Sequence, residues 1–263
     1  MLTSTIHQDA PLLANRACNA VLEAVRILSA SKARNGGVLL EEGRDIKLEA
    51  DLLLSRELTS RLTGATGIPC VCEEDLESHG IPETGPVWIV DPLDGSMNFS
   101  RGLPLYGVSV ALWQNGDPFI GIIHDMERLR TLCAWNGRAW AGETALSIGT
   151  VQTMDRAVLA TGFPVMMDTS PDTVKAFLTF ASRFKKVRML GTAALSMAWV
   201  AEGRLDAYFE RDIMVWDVAA GAALVRGAGG MCVMRQGRHP MSLDVVAANP
   251  ALTSAMQRAL GWR

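Results

Sequence analysis

The chain has 263 residues, 49% hydrophobic and 20% charged, with a formal net charge of -3 at pH 7. That apolar fraction builds a sizeable core and excludes a disordered chain, and charge spread along the sequence excludes a basic face for nucleic acid or a polybasic membrane patch. Five scattered cysteines, an odd number, disfavour a secreted disulfide framework and indicate a reducing cytoplasm.

Met1 to Ala10 lacks the basic and apolar regions of a signal peptide, and no apolar run approaches the ~18 residues of a membrane span. Leu12, Leu13, Ala17, Val21, Ala24, Val25 and Leu28 recur at helical spacing and predict an amphipathic helix over 11–30, followed by a link at Gly36 and Gly37. Asp45 to Ala50 reads as extended, and Asp51 leads into a second helix over Leu52 to Leu62 that Gly64 bounds. Ile68 to Cys72 reads as a strand. Cys70 and Cys72 flank only Val71, with no second pair to complete a zinc set, so they read as packed or partly exposed thiols. A polar loop, Glu73 to Gly85, precedes a strand that ends at Asp91. Three strands over Tyr106–Trp113, Phe119–His124 and Leu129–Trp135 then form an antiparallel meander, with Asn115-Gly116 as a hairpin turn.

After Gly149 the pattern alternates. Short strands near Val158 and Val187 and a strand over Leu205–Glu210 fall between helices at Asp172–Phe184, Ala193–Glu202 and Asp217–Arg226. No proline-rich linker separates the parts, so 1–263 reads as one unit, with an α+β half over 1–148 and an α/β half over 149–263. His7, His79, His124 and His239 are isolated and read as surface or satisfied core. Met166, Met167 and Met189 read as core or pocket filling. Lys185, Lys186 and Arg188 read as a solvated helix end, and Glu74, Asp75 and Glu77 as solvated loop charges.

The chemistry concentrates in Trp88-Ile89-Val90-Asp91-Pro92-Leu93-Asp94-Gly95-Ser96-Met97-Asn98-Phe99. Pro92 biases Asp91 toward extended backbone, Gly95 permits a turn that other residues resist, and Ser96 can begin a helix whose free N–H groups face an anion. Glu73 and Asp217 also border apolar segments. Carboxylates from several strand ends suit Mg²⁺, which takes oxygen ligands and keeps waters, and two such ions suit phosphoryl transfer. Read alone, Asp217 also serves as a helix N-cap.

Asp91-Pro92-Leu93-Asp94-Gly95-Ser96-Met97-Asn98-Phe99, the segment Gly191 to Leu195, and Trp216-Asp217-Val218-Ala219-Ala220-Gly221 together resemble the signatures of the inositol monophosphatase family, in order and at family spacing. The resemblance implies a layered α/β, or α+β, sugar-phosphatase fold with alternating helix and sheet layers (αβαβα). It implies two or three Mg²⁺ ions, with Mn²⁺ as a substitute. Glu73, Asp91 and the Leu93 carbonyl would hold one ion, and Asp91, Asp94 and Asp217 another. Asp51 would pair with the Ser96 hydroxyl to orient and deprotonate the attacking water. The amides of Gly95, Ser96 and Met97 would hold phosphate oxygens, and Glu210, with Asp217, would contact the substrate. A homodimer and lithium inhibition follow from the same resemblance.

The expected activity is hydrolysis of a small polyol or sugar phosphate, with inositol monophosphate leading. Histidinol phosphate, fructose-1,6-bisphosphate and a 3′(2′),5′-bisphosphate nucleotide are the alternatives, and a catalytically degenerate binding protein is the alternative of another class. Ser96 stands where the family has threonine, Cys72 where it often has glycine, and Met214 where inositol-directed members often carry a polar or basic residue; these departures bear on the substrate more than on the metal site.

Overall fold

The computed structural model describes residues 2–35, 37–42, 45–75, 84–164 and 167–262. Gly36, Glu77, His79 and Met166 lie outside them. Helix α1 (Leu2–Ala30), a hairpin of β1 (Val38–Glu42) and β2 (Asp45–Leu48), and α2 (Glu49–Thr66) lead into β3 (Cys70–Cys72), β4 (Pro86–Asp94) and the short α3 (Ser96–Ser100). The meander follows as β5 (Gly107–Gln114), β6 (Asp117–Asp125), β7 (Arg130–Trp135), β8 (Arg138–Ala141) and β9 (Thr144–Ala145). Then come β10 (Val158–Ala160), α4 (Pro171–Ala181), β11 (Lys186–Arg188), α5 (Ala193–Ala201), β12 (Ala207–Met214), α6 (Val215–Gly227), β13 (Met231–Gln236), β14 (Ser242–Ala248) and α7 (Pro250–Leu260).

β3 to β9 make one seven-stranded sheet in sequence order, and a five-stranded sheet runs β11-β10-β12-β14-β13. The side-chain period of two explains how these sheets stack with helices. In β4, Trp88 and Val90 pack with Leu28, Leu54 and Leu58 of α1 and α2, whereas Val87 and Ile89 pack with Met197 and Val218 of α5 and α6. Burial on both faces is why β4 reads as a continuous apolar run. The second sheet adds Tyr208 and Val245 to that middle cluster, while its far face packs Phe209 and Val246 against Phe180, Leu252 and Met256. The layers are thus helix, sheet, helix, sheet, helix, the αβαβα order expected.

Several boundaries differ. The first helix begins at Leu2 and carries Pro11 inside it. The extended segment stops at Leu48, because Asp51 sits in the first turn of α2 and its Oδ2 accepts the Leu48 N–H at 2.6 Å, which caps a helix starting two residues before Asp51. The strand expected to end at Glu210 runs to Met214 through a bulge between Glu210 and Ile213, where Asp212 takes φ 56°. Lys186 and Arg188 belong to the edge strand β11, where exposed basic side chains discourage further pairing, not to a helix end. Met189 is exposed rather than filling the core. His124 is buried with Nδ1 2.8 Å from Thr131 Oγ1, and burial holds its pKa below the ordinary histidine value. Cys18 and Cys133 approach to 2.7 Å between α1 and β7.

Candidate active site

The irregularity that builds the site is in β4. Its pairing with β5 is regular to Asp91 opposite Ser109 and resumes at Asp94 opposite Gly107, so Pro92, which has no N–H to give, falls where the ladder is broken. The strand therefore continues through the motif instead of ending at Asp91. The break lets both Asp91 and Asp94 turn inward, and the Leu93 N–H donates to Asp91 Oδ1 at 3.0 Å. Gly95 follows with φ 92°, and a Cβ there would stand 2.8 Å from the Leu105 carbonyl, so glycine is required on both counts. α3 then begins at Ser96, with the early amides of Ser96 and Met97 lacking acceptors within the helix. Asn98 ties this turn down by donating to the carbonyls of Leu105 and Leu190, each at 2.8 Å.

Asp51 and Ser96 meet as expected. Ser96 Oγ lies 2.9 Å from Asp51 Oδ1 and 2.8 Å from the Leu93 carbonyl. One hydroxyl proton cannot serve both. The carboxylate is the stronger acceptor, which orients the Ser96 O–H toward Asp51 and leaves the Leu93 oxygen with lone pairs to spare.

Asp91 is 1% exposed, and its carboxyl is pushed well above the usual range, first by burial and then by the charges of Glu73, Asp94, Asp217 and Asp51. Asp217 is raised likewise, by desolvation and then by Glu73, Asp94 and Glu210, while a hydrogen bond with Asp91 opposes the shift. It is the third residue of α6, and the cap position belongs to Met214, so Asp217 is not the N-cap. Ser109 Oγ fixes this helix start by donating to the Trp216 carbonyl at 2.9 Å. Asp94 is raised to about 6 by burial, against donors that favour its charged form: the Thr192 hydroxyl, then the amides of Ala194 at 2.6 Å and Ala193 at 3.3 Å. Asp94 thus sits on the N-terminus of α5.

Among the described residues, no three His, Cys, Asp or Glu side chains are drawn into a closed metal-ligand set. The acids form an open, electrostatically coupled cluster instead. The causes that shift Asp91 are burial and four like charges, with no cation among them, and the donors are hard carboxylate oxygens. That set fits a hard divalent cation.

Glu210 is also buried and is raised to about 8 by desolvation, opposed by the Tyr208 hydroxyl and reinforced by Asp94. It lines a cavity of about 650 Å³ with Gly162, Phe177, Phe209 and Arg238, whereas Asp91, Asp94, Ser96 and Asp217 do not line it. Glu210 therefore stands between the acid cluster and a roomy, mixed-polarity cavity. Met97 is exposed, and Glu73 begins a short 3₁₀ turn after β3.

Thr192, Asn98, Tyr208 and Lys47 were not among the expected site residues. Thr192 had a local signal, since threonine before an alanine-rich run is an N-cap pattern, and its hydroxyl does accept the Leu195 amide at 3.2 Å. Its contact with Asp94, 98 residues away, had none.

A model of the inositol monophosphatase family matches residues 4–261. The Nus factor SuhB of Xylella fastidiosa is 36% identical over 184 residues, which cover 66% of this chain and 67% of that protein. Among solved structures, the extragenic suppressor protein suhB of Bartonella henselae superposes with a TM-score of 0.81 at 29% identity, covering 94% of this chain and 97% of that one. The inositol monophosphatase from Anabaena (Nostoc) sp. PCC 7120 superposes with a TM-score of 0.82 at 25% identity, covering 96% of each chain.

Proposed function

The chain belongs to the inositol monophosphatase family, and from that premise we propose that it is a Mg²⁺-dependent phosphomonoesterase acting on a small polyol or sugar phosphate, with inositol monophosphate as the leading substrate. Family membership supports a phosphatase; the substrate and the ion are our reading. The observation that carries it is the Ser96 hydroxyl seated on Asp51 beside the buried carboxylates of Asp91, Asp94 and Asp217. Glu73, Asp91 and the Leu93 carbonyl would hold one Mg²⁺, and Asp91, Asp94 and Asp217 another, with a third ion or Mn²⁺ as variants. Bound ions supply Lewis-acid polarisation of the phosphoryl oxygens and make a water acidic enough to attack.

The chain's own residues do the rest. The attacking water passes a proton to Ser96 Oγ as the Ser96 proton moves to Asp51 Oδ1. The first-turn amides of α3, with Gly95, hold phosphate oxygens as charge shifts among them. Glu210, at the cavity, accepts hydroxyl protons of the polyol and sets its orientation.

The same proposal takes 1–263 as one working unit and a homodimer in the cytoplasm as its form, with neither nucleic acid nor membrane as partner. No helix among the described residues is long and apolar enough to cross a membrane. The name Nus factor, carried by the Xylella relative, favours a second reading in which this chain serves as an assembly partner. A purely structural role does not call for the Asp51–Ser96 pair or for a buried like-charge cluster that costs stability.

The test is phosphate release from inositol 1-phosphate, histidinol phosphate, fructose-1,6-bisphosphate and 3′-phosphoadenosine 5′-phosphate, with Mg²⁺ and with chelator. Release that needs Mg²⁺ and vanishes in Asp94→Asn, with an unchanged circular dichroism spectrum, is expected. Equal rates in chelator, or wild-type turnover by Asp94→Asn, defeat the assignment. No release from any substrate, with a stable stoichiometric protein complex, favours the second reading.

A further inference from the structure

Lys47 lies at the end of β2, four residues before Asp51. Its ammonium pairs with the carboxylate of Glu74, whose side chain is only 10% exposed against 36% for the lysine. Glu74 is therefore not one more solvated loop charge. The ammonium also feels Asp51 and Glu73, and with Glu74 foremost these acids hold its pKa above the ordinary lysine value. Glu73 in turn is a leading charge on both Asp91 and Asp217. One tethered monovalent cation thus sits on the outer edge of the acid cluster, next to a carboxylate that nothing else in the proposed ligand set uses.

Two adjacent carboxylates, Glu73 and Glu74, are a natural oxygen pair for a divalent ion. An ammonium already docked on one of them blocks that use in two ways. It has three donors and no acceptor, so it consumes lone pairs the ion needs, and its charge repels a second cation brought to the same edge. Because it is tethered to the chain, it comes to the site without a separate association step.

Resting on the metal-centre reading above, we propose that the Lys47 ammonium is the fixed cation of the Glu73–Glu74 edge: it occupies Glu74 and lowers by one the number of divalent ions this side of the site takes up. Lys47 is then a positioning residue of the metal centre, one that sets ion stoichiometry through Glu74.

The test counts bound Mn²⁺ per chain by electron paramagnetic resonance titration of the full-length protein, with folding followed by circular dichroism. Lys47→Met is expected to bind one more Mn²⁺ than wild type. Lys47→Arg, which keeps the charge, is expected to hold the wild-type count, and Lys47→Met combined with Glu74→Gln is expected to return to it. Should Lys47→Met fail to fold, Lys47→Gln removes the same charge while keeping polar donors. An unchanged count in the neutral variants overturns this inference alone. A wild-type chain that binds no Mn²⁺ overturns the metal-centre reading together with it.

Discussion

Glu210 supplies a quantitative test of the site's electrostatics that needs no substrate. Its carboxyl stands at about 8 against a model value of 4.5, chiefly because it is desolvated, with the Asp94 charge adding to the shift and the Tyr208 hydroxyl opposing it. A carboxyl raised on folding binds a proton that the unfolded chain has already released. Its stabilisation is therefore complete below the unfolded value and is lost as pH rises through about 8. At ~1.36 kcal/mol per pKa unit, the loss between pH 5 and pH 8 is about 3 to 4 kcal/mol from this residue. Glu210→Gln removes the titration while keeping the shape. The assay is urea unfolding in chelator at a series of pH values for both proteins. The stability of wild type relative to Glu210→Gln should fall by about 3 to 4 kcal/mol across that window, and saturating Mg²⁺ should flatten the slope by offsetting the charge of Asp94. A difference that stays constant within about 1 kcal/mol refutes the claim that Glu210 is buried as an acid beside Asp94.

Thr192→Val removes the donor to Asp94 and the cap of α5 while keeping the side chain's volume, and should cost about 2 kcal/mol in urea unfolding. Because that hydroxyl favours the charged form of Asp94, its loss raises the carboxyl beyond about 6, so Mn²⁺ affinity should drop more at pH 6 than at pH 8, with Thr192→Ser restoring both. Equal losses at the two pH values contradict the assignment. Gly162→Ala would place a Cβ 2.7 Å from Glu210 Oε1, which obliges that carboxylate to move. The expected result is a KM for the polyol phosphate raised roughly tenfold, worth about 1.4 kcal/mol, with kcat near wild type, as steady-state kinetics would show. A reduced kcat at unchanged KM would place Glu210 in the chemistry instead of in substrate orientation.

The layered fold is legible because β4 carries apolar residues on both faces, and only a strand sandwiched between two helix layers needs that. The pair Asp51 and Ser96 is likewise legible from the residue types, since a carboxylate beside a helix start and a hydroxyl after a glycine turn each have local reasons to be there. Short strands such as β8 and β9, with four and two residues, have too few positions to show a period, and their pairing is decided by the sheet they join. The last helix has its signal in the chain: Asn249 caps it, accepting the Leu252 amide at 3.0 Å, and Pro250 opens it. Thr192 and Lys47 are different in kind. Each acquires its role from a partner far along the sequence, Asp94 and Glu74, and side-chain identity alone does not name that partner.

The site depends on the middle helix layer as much as on the acids it holds. Asp91 and Asp94 come from the seven-stranded sheet, whereas Asp217 rides on α6 and the donors to Asp94 on α5, both lying between the two sheets. Ser109 on β5 reaches the Trp216 carbonyl, and Asn98 reaches that of Leu190, so the same docking that buries α5 and α6 also sets the spacing of the carboxylates. Gly121 on β6 tests this directly, because a Cβ there has no room against the Ala220 carbonyl and would stand 2.8 Å from Ala223 Cβ. Neither neighbour is a flexible side chain that can swing away, so α6 itself must shift and Asp217 with it. Gly121→Ala should therefore cost about 1 to 3 kcal/mol in unfolding and also weaken Mn²⁺ binding, although Gly121 is not itself a proposed ligand. If stability falls by that amount while Mn²⁺ affinity stays at the wild-type value, the acid cluster is set within the first sheet and α6 is only a cover.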